Sequence, residues 1–113
     1  MFNRYMEEFK LLEDNKQLKK DVNEYLIAKG YNPNLKGFQY FSDIATIGLT
    51  KKQYSKTFMC EIYPFIAYKH KIKEHSVQRQ LRYTFTLASS NVKKIKPEDL
   101  YQKLWFDFKM GNV

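Results

Sequence analysis

Apolar side chains recur every three or four residues along almost the whole chain, and no strictly alternating stretch exceeds three or four residues. A period near 3.6 buries one face of a helix, whereas a half-buried strand needs a period of 2. The chain is therefore expected to be all-α, a five- or six-helix domain. Phe2, Tyr5, Met6, Phe9 and Leu12 form one stripe, and Leu18, Val22, Tyr25 and Leu26 form a second. Asp14-Asn15 between them marks either a break or an exposed turn, and Gly30 followed by YNPN ends the pair. A helix over 35–49 carries Phe38, Phe41, Ile44, Ala45 and Leu49 on one face. Lys51 to Glu61 makes a third, with Tyr54, Phe58 and Ile62 pointing one way. Proline is harmless only in the first turn of a helix, so Pro64 opens a short one and Pro97 opens the last. Between these two, a further helix is expected from Glu74 to Ser89.

Composition removes several classes of function. At 113 residues, with 43% apolar and 17% aromatic side chains, the chain suits one small folded domain. Its longest uncharged stretch is the ten residues Tyr83 to Val92, too short to span a membrane. The opening MFNRYMEEFK has no continuous apolar region, so a cytoplasmic location is expected. Cys60 stands alone, which excludes an internal disulfide, and is expected to be a buried small hydrophobe. His70 and His75 are five apart and do not stack on one helical face as metal ligands, so they are read as turn and surface residues. There is no glycine-rich phosphate loop and no paired carboxylate. An enzyme is not expected, nor a cofactor or metal. Trp105 and the many Tyr and Phe residues follow helical spacing and are read as core.

Charge is more directive. The chain carries 20 basic and 12 acidic residues, a net +8. Residues 1–43 hold seven of each sign, and residues 98–113 sum to −1. Residues 44–97 hold eleven basic residues against only Glu61 and Glu74, a net +9. A polyanion-binding surface leaves that footprint.

Within the basic block, residues 64–89 fit a helix-turn-helix. Ile66 and Ala67 suit the first helix, Ile72 the turn, and Val77 and Leu81 the inner face of the second. At roughly 100° per residue, Val77, Leu81, Thr84, Phe85 and Ala88 share one third of the circumference. His75, Gln78, Arg79, Arg82 and Thr86 occupy the opposite third. Arginine pairs bidentately with guanine and glutamine with adenine, so this face carries residue types that read base edges. Lys69, Lys71 and Lys73, with Lys93, Lys94 and Lys96 beyond, suit phosphate contact.

These residues resemble the C-terminal DNA-binding effector domain of the stage-zero sporulation master response regulator of spore-forming bacteria. Gly30–Asn91 can be laid against it without a gap, through Gly30, LKG (35–37) with FQYF, YPFIAYK (63–69) and VQRQLR (77–82). The resemblance implies an all-helical, wingless transcription factor whose recognition helix enters the major groove, with frequent tandem occupancy. It implies base contacts by Arg79 and Arg82. Gln78 stands where the family has a base-proximal glutamate, Ser76 where it has an arginine, and Tyr83 where it has a histidine. His75, Ser76 and Tyr83 are thus expected to flank the DNA. A chain of this length leaves no room for a receiver domain, so phosphorylation control is not expected. The segment after the recognition helix is about a dozen residues shorter than in the family, although KPEDLYQKLW resembles its closing helix.

Residues 1–17 have no counterpart and form a helical extension to the domain 18–110. Their aromatic stripe either packs on the core or forms a dimer face that replaces the receiver. The expected function is sequence-specific binding of double-stranded DNA by a bacterial, nucleoid-associated transcriptional regulator, as a homodimer or in tandem and with a contact to RNA polymerase. The alternative is an interference protein of phage or plasmid origin that binds a host regulator or polymerase and keeps only non-specific DNA affinity.

Overall fold

The computed structural model describes residues 4–87 and 94–109, and among them the chain is helical with no strand. The elements are α1 (Met6–Asp14), α2 (Lys16–Ala28), α3 (Lys36–Lys51), α4 (Lys56–Glu61), α5 (Tyr63–His70), α6 (Glu74–Arg82), a π-helical turn over Tyr83–Leu87, and α7 (Pro97–Lys109). α1 and α2 are two pieces of one expected helix. Asn15 divides them: its side-chain amide donates to the Leu11 carbonyl at 2.7 Å, in competition with the backbone ladder.

α3 is the axis of the fold. It is buried without interruption from Tyr40 to Gly48, and α1, α2, α5, α6 and α7 all pack against it. A helix covered on every side must satisfy its polar groups internally. Thr46 donates to the Ser42 carbonyl at 2.8 Å, and Ser42 donates to the Asn23 side-chain carbonyl on α2 at 2.5 Å.

The third expected helix starts later than the sequence pattern suggests. Lys52 adopts a left-handed φ of 58°, which ends α3, and the Gln53 N–H donates back to the Gly48 carbonyl at 2.9 Å. Ser55 then caps α4 by accepting from the Phe58 N–H at 3.3 Å. Phe58 and Ile62 face inward as expected, but Tyr54 lies in the connection and is 63% exposed.

Tyr5 and Phe9 of the N-terminal aromatic stripe pack on the core, and Phe2 lies outside the described residues. Tyr5 and Phe9 lie 5.5 and 5.1 Å from the Phe65 ring of α5, and both also contact Tyr68. Lys51 at the end of α3 draws in Glu7 at 3.1 Å. At the other side of the bundle α7 is tied to α2 by the Tyr25 hydroxyl, which donates to Asp107 at 2.6 Å. Burial and that carboxylate push the Tyr25 phenol well above its ordinary value. Tyr101, completely buried, donates its hydroxyl to the Gln53 carbonyl and so fastens α7 to the α3–α4 turn.

Candidate nucleic-acid interface

α5 and α6 form the expected helix-turn-helix. Lys71 takes a left-handed φ of 58° immediately after α5, and the Ile72 N–H donates to the Ala67 carbonyl at 3.0 Å, which closes the turn. Lys73 is extended and leads into α6, where Glu74 sits favourably in the first turn. Ile66 and Val77 are fully buried and Leu81 is 1% exposed, so the pair shares one core.

The two faces of α6 separate as the helical angles require. Val77, Leu81, Thr84 and Phe85 are buried, whereas His75, Gln78, Arg79 and Arg82 are exposed. Thr86 and Ser76 are half-buried, and Tyr83 is 49% exposed. Lys71, Lys73, Lys94 and Lys96 are exposed around this face. Lys93 and Ala88 lie outside the described residues. No ion pair among the described residues engages Arg79 or Arg82.

The α-helix expected from Glu74 to Ser89 stops at Arg82 and continues as the π-helical turn. α3 and α6 approach so closely there that a Cβ on Gly37 would fall 2.8 Å from the Gln80 carbonyl carbon, with the carbonyl oxygen and the Thr84 hydroxyl nearer still. The widened turn keeps Thr84 and Phe85 on the buried side. The Phe85 ring lies 4.8 Å from Tyr31 and 4.9 Å from Phe41.

Two basic residues depart from their expected places. Lys69 is held against Asp43, with its ammonium 2.7 Å from Oδ2, so its charge is already paired and does not join the free lysines. His70 also turns inward: its Nε2 lies 3.0 Å from the same oxygen and its ring lies 4.7 Å from Tyr40. Lys19 of α2 completes the cluster at 2.6 Å from Oδ1. Burial of Asp43 acts to raise its pKa, but the hydrogen bond with His70 and the ammoniums of Lys19 and Lys69 outweigh it and lower the carboxyl to about 2.

Above the unfolded value of 3.8 this cluster contributes its full stability, which is lost as pH falls through about 2. The expected loss across that window is about 2 kcal/mol from this group. Urea midpoints measured stepwise between these limits test it, and Asp43→Asn should flatten that part of the profile.

Cys60 is exposed, contrary to its expected burial, because Phe58 and Met59 occupy the inner face of short α4 and Ile62 turns inward just after it. It lines a small cleft of about 110 Å³ with Tyr63, Gln78, Arg82, Pro97 and Glu98. Glu98 is therefore a neighbour of Gln78 and Arg82 that local sequence pattern did not indicate. Asp43 was also missed, although it is the sole charge between Lys36 and Lys51. A lone carboxylate in so apolar a helix is the signal that marks a buried ion cluster.

No curated protein and no solved structure matches the chain. The family model for the sporulation initiation factor Spo0A C terminal matches residues 22–105, from α2 through most of α7. α1 lies outside the matched span, and the helix-turn-helix lies wholly within it. On that match the chain belongs to the Spo0A C-terminal family.

Proposed function

We propose that α6 reads a specific double-stranded DNA sequence from the major groove, with Arg79 and Arg82 contacting bases and Gln78 setting the preference beside them. The family is one of DNA-binding domains of transcription regulators. The observation that carries the finer reading is the exposed face of α6, whose arginines engage no ion pair among the described residues, backed by a buried one. Arginine and glutamine present forked donors and acceptors that match base edges. Where the family's glutamate would accept from cytosine, the Gln78 amide can pair with adenine, so the preferred sequence is expected to differ there.

Exposed lysines frame this face. Lys71, in the left-handed turn position, and Lys73 are both exposed, which supports a role in neutralising phosphates beside the groove. Lys71→Ala should weaken binding to all duplexes alike and reduce the slope of log affinity against log salt by about one. Anisotropy titrations at several salt concentrations measure both quantities. An unchanged slope would remove Lys71 from the interface.

The function itself is tested by selecting bound duplexes from a random pool at two salt concentrations. An enriched motif is expected. Weak binding erased by salt, without a motif, would favour the second reading, a protein that captures a host regulator or polymerase. One observation supports that reading. Tyr54 and Phe106, 63% and 62% exposed, flank half-buried Trp105 at the far end of α7 from the Arg82 cleft. On that reading Phe106→Ala should abolish co-purification with polymerase while leaving the fold intact.

A further inference from the structure

The Asp43 cluster joins three helices at the end of the first helix of the helix-turn-helix. Its carboxylate is fully buried, while the side chains of Lys19, Lys69 and His70 are each about one quarter exposed, at 26%, 25% and 26%. An apolar residue of similar size would serve the core about as well, because desolvating a carboxylate offsets much of what its partners return. What an apolar residue would lack is direction. Oδ1 accepts from Lys19 on α2, and Oδ2 faces Lys69 and His70, the last two residues of α5. The left-handed Lys71 follows at once, and α6 begins three residues later.

We propose that Asp43 is a positioning residue for base reading: it clamps the end of α5 through Lys69 and His70, which holds the turn 71–73 and hence α6 at one angle on α3. The proposal rests on α6 being the DNA-reading helix. α3 then supports the helix-turn-helix at two separate places. Gly37 sets the approach of α6 at Gln80 and Thr84, and Asp43 fixes the chain where α5 ends. With the second support removed, the N-terminal half of α6 is free to pivot about the first. Gln78 and Arg79 would lose alignment with base edges, because directional hydrogen bonds weaken steeply with misplacement. Phosphate contacts tolerate the same motion, and a released Lys69 would add one.

The experiment compares Asp43→Asn, which removes the carboxylate charge and one of the two oxygens that hold α2 and α5, with Lys19→Met, which removes only the α2 arm. Amide hydrogen exchange at Ile72 in the free protein reports on the turn, after correction for global stability by urea melts. Asp43→Asn should speed it about tenfold, and Lys19→Met should change it less than about twofold. On DNA, the ratio of selected-site to random-duplex affinity should fall about tenfold for Asp43→Asn and hold for Lys19→Met. Equal changes in both variants, or no change at Ile72 in either, would overturn the proposal and leave Asp43 as ordinary structural support. If Asp43→Asn does not fold, the pair Lys69→Met and His70→Leu removes the α5 arm alone and should reproduce its pattern. Absence of any selected duplex sequence for the unaltered protein would defeat the DNA reading, whereas the exchange measurement decides the clamp without DNA.

Discussion

Gly37→Ala is expected to lower the thermal midpoint by about 12 °C, the largest stability loss from any single added methyl group on the helix-turn-helix side of the protein. Helix propensity argues the other way, since alanine is favoured over glycine inside a helix by about 1 kcal/mol. Packing decides the sign. The new Cβ would meet the Gln80 carbonyl and the Thr84 hydroxyl, and the nearest carbon is backbone at 2.8 Å. A flexible side-chain tip could swing away, but a backbone carbonyl in the last turn of α6 moves only if the helix moves. Overpacking of this kind costs typically 1–3 kcal/mol and more where backbone must shift, so a net loss of about 3 kcal/mol is expected after the propensity gain. Differential scanning calorimetry measures it directly. A midpoint within about 2 °C of the unaltered protein would mean that α6 slides on α3 at little cost, which would also weaken the two-point support argued for the helix-turn-helix.

The orientation of α6 was legible because it depends only on residue order and the helical angle. Val77 and Leu81 face inward and Arg79 and Arg82 outward whatever they pack against. Contacts between distant residues were not legible in the same way. Lys69 looks like its neighbours Lys71 and Lys73 in the sequence, and what distinguishes it is a carboxylate 26 residues away. The end of α3 was misplaced for a local reason, since a lysine at 52 rather than a glycine occupies the left-handed stop. The same holds for the turn, where Lys71 takes the conformation that glycine or asparagine would have announced. The N-terminal stripe had two admissible outcomes because amphipathicity says that a face will be covered, not what covers it. Phe65 and Tyr68 on α5 cover it in this structure. Cys60 shows a further limit: a residue type's usual burial cannot say which face of a six-residue helix it will occupy.

The paired substitution Arg79→Ala with Arg82→Ala is expected to reduce affinity for the selected duplex by two to three orders of magnitude, about 3–4 kcal/mol, while random duplex loses about tenfold or less. The asymmetry follows from what each contact needs. A guanidinium that donates two hydrogen bonds to a guanine contributes only when that base is present, and removing it forfeits discrimination of about 1–3 kcal/mol per position. As plain charges, the same two residues contribute to every duplex through released counterions, which is the smaller share and disappears at high salt. Both side chains are exposed and engage no ion pair among the described residues, so the fold should be unaffected to within about 0.5 kcal/mol. Calorimetry on the double variant therefore separates lost recognition from lost structure before any titration is interpreted. Equal loss on both duplexes would make α6 an electrostatic face and not a reading one. Specificity would then have to come from the deformability of the DNA or from another element of the protein. Loss confined to the selected duplex, with melting unchanged, would place base recognition on the face that Val77 and Leu81 hold outward from the core.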